Sequence, residues 1–197
     1  YNRGLAYCQK RELDKGIEDF SQALNFKPEA DRYTERGRAY HQKGELQKAM
    51  VDLGKAIHLD SKYVPAYFYR ALVLQDLENY ADALSDLGKA LSLNPPKVDD
   101  KASLYYNRAI IYRHLGQYDK AIADLDEAEK LTPDDSDIYG GRTGCWLAQG
   151  DIRRALADVD KALRLTPKNA QAYFMRAVLF REMKDYNQVI ADNTRGL

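Results

Sequence analysis

Apolar residues in this chain come in paired runs at helical spacing, each pair interrupted by a short polar turn, and the scheme recurs along the chain. In the stretch 102–135, Tyr105, Ala109 and Tyr112 line one face of a first helix. Gly116 marks a turn, Ala121, Leu125, Ala128 and Leu131 line a second helix, and Pro133 prevents its continuation. Pro28, Pro95 and Pro167 are the corresponding stops elsewhere, with Ser61 in that place once. The spacing predicts an all-α chain of about twelve helices in antiparallel pairs, arranged as copies 1–29, 30–63, 64–97, 102–135, 136–169 and an incomplete 170–197. Residues 98–101 are an insertion around Asn94–Asp100, which predicts a longer loop that changes the helical step without dividing one continuous array.

Small residues hold fixed columns within this pattern. Gly4, Gly37, Ala71, Ala109, Thr143 and Ala177 occupy one on the first helices. On the second helices Gly16, Ala49, Ala83, Ala121 and Ala155 form another, and Ala23, Ala56, Ala90, Ala128 and Ala162 a third. Larger residues alternate with them, Tyr40, Tyr112 and Trp146 facing Leu53, Leu125 and Val159, so that ridges can enter grooves between antiparallel helices.

Two charged columns share the period. Arg3, Arg36, Arg70, Arg108, Arg142 and Arg176 recur at steps of 33, 34, 38, 34 and 34, and Asp19, Asp52, Asp86, Asp124, Asp158 and Asp192 recur at the same steps. A planar guanidinium can meet a carboxylate through two hydrogen bonds, so the columns predict a ladder of structural ion pairs. The favoured register joins the Asp of one copy to the Arg of the next, Asp19 to Arg36 and onward to Asp158 with Arg176; pairing within each copy is the alternative.

Composition narrows the function. Thirty basic and thirty acidic residues cancel, leaving no global field for nucleic acid or an anionic membrane surface. No apolar run approaches the ~20 residues that cross a bilayer. Cys8 and Cys145 lie four copies apart and read as reduced thiols, which points to an intracellular, cytoplasmic setting. The three histidines lack metal-ligand spacing, no phosphate-binding loop occurs, and no nucleophile has an activating partner, so neither a cofactor nor catalysis is expected.

In the third copy Tyr67, Ala71, Leu74, Tyr80, Ala83, Leu87, Ala90 and Pro95 follow one order: aromatic, small, bulky, aromatic, small, bulky, small, proline. This order resembles the tetratricopeptide repeat, and the resemblance covers essentially the whole chain. It implies a right-handed α-solenoid, a superhelix whose first helices line a concave surface. The chain begins at Tyr1 within a helical pattern and ends at Leu197 within a second helix lacking a polar cap, which predicts a fragment of a longer array.

By the same resemblance, the concave positions most apt to meet a partner are Phe68, Tyr69 and Leu72 in the third copy, Tyr106, Asn107 and Ile110 in the fourth, and Phe174 and Met175 in the sixth. An apolar stretch on an open face marks a protein partner, although packing between neighbouring first helices is the alternative. Gly140, Gly141 and Gly144 complete the set. Each helical glycine costs about 0.8–1 kcal/mol against alanine, a cost compatible with close backbone approach or with room for a ligand group. Chaperone-binding members of the family clamp a terminal carboxylate with Lys, Asn and Arg; here the corresponding columns hold Leu5, Glu35 and Tyr69, which argues against that ligand. The expected function is a non-catalytic scaffold binding a peptide or helical segment of another protein. The alternatives are an array that self-associates through its ends within a larger assembly, or the regulatory part of a multidomain enzyme.

Overall fold

A computed structural model describes residues 1–196, which contain twelve α-helices and no strand. They divide at Pro95–Pro96 into two compact units, Tyr1–Pro95 and Pro96–Leu197.

The first unit holds three helix pairs: α1 (Asn2–Gln9) with α2 (Leu13–Phe26), α3 (Ala30–Gln42) with α4 (Leu46–Leu59), and α5 (Val64–Asp76) with α6 (Tyr80–Ser92). The second holds α7 (Val98–His114) with α8 (Tyr118–Leu131), α9 (Ser136–Ala148) with α10 (Ile152–Leu165), and α11 (Ala170–Glu182) with α12 (Tyr186–Arg195). Within each unit every pair also packs on the next, and successive first helices touch, α3 with α5, α7 with α9, and α9 with α11.

Each hairpin turns through one residue in the left-handed region. Gly44, Gly116 and Gly150 supply it without a side-chain penalty, whereas Arg11, Glu78 and Lys184 adopt it with one. In the third pair, Glu78 at φ 57° is followed by Asn79, whose N–H returns to the Leu74 carbonyl at 2.8 Å. That bond satisfies a carbonyl the helix end would otherwise leave unpaired. Asn79, Asp135, Asp151, Asn169 and Asp185 then start the following helices, each accepting from a backbone N–H of the first turn.

The small columns let helices approach closely. A Cβ at Gly37 would lie 2.9 Å from Leu53 Cγ, and one at Gly16 2.5 Å from Cys8 Sγ. Leu53, Leu87, Leu125 and Val159 fill the space between those columns and are fully buried. Each such side chain contributes about 1.5–3 kcal/mol by leaving water.

The inserted residues are not a loop. They form the first turn of α7, which runs 17 residues against 13 in α5 and α9. Pro95 and Pro96 rule out helix just before it, and Asp99 and Asp100 suit its N-terminal turn, where helix dipole and free N–H groups favour negative charge.

Candidate functional site

The charged columns do pair, but within each copy. Arg36 Nε and Nη2 donate to Asp52 at 2.7 and 2.9 Å, Arg108 reaches Asp124 with both bonds at 2.7 Å, and Arg142 reaches Asp158 with both at 2.8 Å. Arg3–Asp19, Arg70–Asp86 and Arg176–Asp192 make the same two-bond fork. The expected register, Asp19 with Arg36 and its equivalents, is therefore corrected. The physical reason is the hairpin: Arg108 and Asp124 each lie 8 residues from Gly116, so antiparallel helices bring them level.

Copies are joined by a second bond from some of the same arginines. Arg142 Nη1 donates to Asp126 and Glu129 at 2.6 Å each, Arg176 Nη1 to Asp160 at 2.7 Å, and Arg36 Nη1 to Ser21 at 2.9 Å. Gly54 stands in that column ahead of Arg70 and offers no acceptor. Aromatic rings flank the guanidiniums, Tyr33 and Tyr40 about Arg36, and Tyr105 and Tyr112 about Arg108. The aspartates are buried, and hydrogen bonding to Asp158 holds the Arg142 guanidinium still more firmly protonated than usual. In all six copies the Nε and Nη2 groups of the arginine are taken up by the aspartate of the same copy.

In the first unit the first-helix face is largely occupied by its own side chains. Tyr69 packs edge-on against Phe68 with ring centroids 5.3 Å apart, and its hydroxyl accepts from Arg38 Nη1 at 3.3 Å. Arg38 Nη2 lies 3.2 Å from Glu35 Oε2, without the alignment of a hydrogen bond to that oxygen. Burial pushes the Glu35 carboxyl up, and Arg38 opposes the shift. His41 Nε2 and Asp76 Oδ2 meet at 2.6 Å, tying α3 to α5. Phe68, Tyr69 and Leu72 are all half-buried here.

The corresponding face of the second unit carries two clefts. A cleft of about 100 Å³ runs across α7, α9 and α11, lined by Tyr106, Ile110, Gly140, Gly141 and Met175 from the predicted set. Arg113, Ser136, Asp137, Asn169, Gln171 and Ala172 complete its wall. A second cleft, of about 250 Å³, adjoins it beside the first turns of α7 and is lined by Asp99, Ala102, Ser103, Tyr106, Asn107, Thr132, Asp135 and Asp137. Tyr106 and Asp137 line both. Burial pushes the Tyr106 phenol up, and the negative charge of Asp137 adds to the shift.

The three glycines separate. At Gly140 a Cβ would meet nothing within 4 Å, so this residue leaves open space in the cleft. Gly141 is buried, and a Cβ there would make ordinary contact with Leu125 and Tyr106 at 3.5–3.7 Å. At Gly144 it would lie 3.0 Å from Arg113 Nη1, so the glycine gives that side chain room to lie across α9. No backbone of a neighbouring helix approaches any of the three, which removes close backbone packing as their explanation. Phe174 is 64% exposed and lies outside both clefts, whereas Met175 is in the wall.

A sequence profile described as Tetratricopeptide repeat matches residues 69–136 and 147–187, and a second, described as TPR repeat, matches residues 37–78. The chain belongs to the tetratricopeptide-repeat family. Among curated proteins none matches it. Solved structures similar to it include a tetratricopeptide repeat protein from Parabacteroides merdae, 22% identical with TM-score 0.75 over 99% of this chain and 75% of that one. YrrB, a TPR protein described as having an unusual peptide-binding site, is 22% identical with TM-score 0.72 over 91% of each chain. PilF of Pseudomonas aeruginosa is 16% identical with TM-score 0.87 over 97% of this chain and 86% of that one. At such identities the likeness concerns the fold.

Within this tetratricopeptide chain, the sequence pattern found the α7 residues and glycines of the cleft but missed Ser136, Asp137, Asn169 and Gln171. These stand in the first turns or caps of α9 and α11, where polar residues read as helix starts. Their only signal was position, one turn before a residue already assigned to the face. Among the described residues no helix is long and apolar enough to cross a membrane, and no group of three His, Cys, Asp or Glu side chains could hold a metal ion.

Proposed function

We propose that this protein is a non-catalytic interaction scaffold whose second unit holds an extended or helical segment of a partner protein. The observation that carries the reading is the cleft across α7, α9 and α11, where Tyr106, Ile110 and Met175 supply apolar wall around the space left by Gly140. Apolar side chains set among polar ones fit an anchor residue flanked by hydrogen bonds, and Asn107 beside the cleft can hold a backbone amide. Phe68, Tyr69 and Leu72 are assigned to the wall of the first unit, because they are half-buried and Tyr69 is engaged by Arg38. That YrrB is described as having a peptide-binding site supports the general reading.

Peptides selected from a random display library against the protein test it. Synthetic copies should protect α9 amides from hydrogen exchange and lose at least about tenfold in affinity, or ~1.4 kcal/mol, to Gly140→Trp, whose ring fills the cleft. Circular dichroism should show that variant folded. Peptides that bind it undiminished would sink the reading.

A second reading, self-association through the last helix pair, is favoured by the exposure of Phe174, Tyr186 and Ile190. Light scattering across concentration tests it: growth that Ile190→Glu abolishes supports assembly, and an unchanging monomer rejects it.

A further inference from the structure

The two clefts of the second unit differ in charge, and the difference specifies a partner. The cleft beside the first turns of α7 is walled by Asp99, Asp135 and Asp137, with no lysine or arginine in its lining. One oxygen of Asp135 is engaged, accepting from the Asp137 N–H at 3.0 Å. At the far end of the other cleft stands a cation, Arg113, held across Gly144. Asp137 lines both clefts but Arg113 only this one, so negative charge is concentrated on the side of the α7 start, with Tyr106 shared between the two.

We propose that the groove takes a partner segment carrying a lysine or arginine next to an apolar residue, the cation lodging in the acidic cleft and the apolar side chain over Gly140 between Tyr106 and Met175. This rests on the groove reading above and adds the chemistry of its occupant. Carboxylates beside an aromatic ring, in a recess that lacks a cation of its own, are complementary to an ammonium or guanidinium group. Because Tyr106 and Asp137 belong to both clefts, the cation and the apolar anchor must be neighbours in the segment. Arg113 sets direction, since a segment entering reversed brings its cation against that guanidinium.

Asp99 and Asp137 also lie in the first turns of α7 and α9, where negative charge steadies a helix whether or not anything binds. The two roles have different readouts: the helical one moves melting temperature, and the recognition one moves affinity for cationic peptides alone.

The test uses display-selected peptides whose binding is lost in Gly140→Trp, each compared by fluorescence anisotropy with a twin in which lysine and arginine become glutamine. The selected peptides should carry a basic residue, and their twins should bind about five- to tenfold more weakly at low salt. The gap should narrow as salt rises and close in Asp137→Asn, with the melting temperature of that variant measured alongside. Groove-dependent peptides that are uncharged or acidic, or twins that lose nothing, would overturn the proposal while leaving the groove reading intact. If no selected peptide depends on Gly140, both readings fall together.

Discussion

The first-helix faces of the two units share a period and a backbone yet differ in what occupies them. Thr34, Arg38 and His41 of α3 stand in the columns that Gly140, Gly144 and Leu147 hold in α9. Thr34 is buried, Arg38 is bonded to Tyr69, and His41 meets Asp76, so side chains in these columns of the first unit fill the face. At Gly140 of α9 a side chain would meet nothing, and the space becomes part of a cleft. A repeat thus sets the scaffold, while the residues that break its columns decide which part of the surface is free. Arg113 shows the same rule in reverse, because it can lie across α9 only where the facing residue is Gly144.

The largest expected effect tests what both units have in common. Arg142 is 12% exposed and holds Asp158, Asp126 and Glu129. Arg142→Ala leaves Asp158 buried without its cation, and urea unfolding should show a loss of about 3–5 kcal/mol. Arg3 makes the same fork at 70% exposure, and Arg3→Ala should cost far less. Equal losses would mean that the fork's strength does not depend on burial.

Next come the glycines. Gly37→Ala brings a Cβ to 2.9 Å from Leu53 Cγ in a filled core, and should destabilise by about 1–3 kcal/mol. Gly140→Ala meets open space and should stabilise by about 0.8–1 kcal/mol, the helical preference of alanine over glycine. Thermal melts of the pair sharpen the contrast between units; a loss at Gly140 would show that the site is not free.

Gly54→Asp is expected to be smaller. Asp126 and Asp160 lie 16 residues before the arginines they bond, and Gly54 has the same relation to Arg70 with nothing in the way of a side chain. The new carboxylate should add up to about 1 kcal/mol in urea unfolding, less at high salt.

Smallest of all is Glu35→Gln. Burial raises the Glu35 carboxyl in the folded state, so its contribution is most favourable at acid pH, below the unfolded value, and is lost as pH rises through the folded one. The variant should therefore gain on wild type between acid and neutral pH, by less than about 1 kcal/mol. A gain at low pH alone would reverse the sign and count against the assigned cause.

Much of this fold is legible along the chain because periodic packing writes itself into periodic residues: Ala83, Ala121 and Ala155 are small for the same contact, and prolines stand where second helices must stop. The fork was also encoded, since Arg108 and Asp124 are equidistant from Gly116, and reading each hairpin as folded about its turn identifies the partners. The extra turn of α7 was harder, because a helix start after two prolines resembles a polar loop until its backbone bonds are seen. Which face is free could not be read from the residues at all. Glycine in α9 is equally consistent with tight packing or an empty space, and aspartate before it with a helix start or the wall of a cleft. Local pattern fixes what each residue can do within its own helix; only the approach of α7, α9 and α11 decides whether Gly140 faces a neighbour or water, because that depends on side chains distant in the chain.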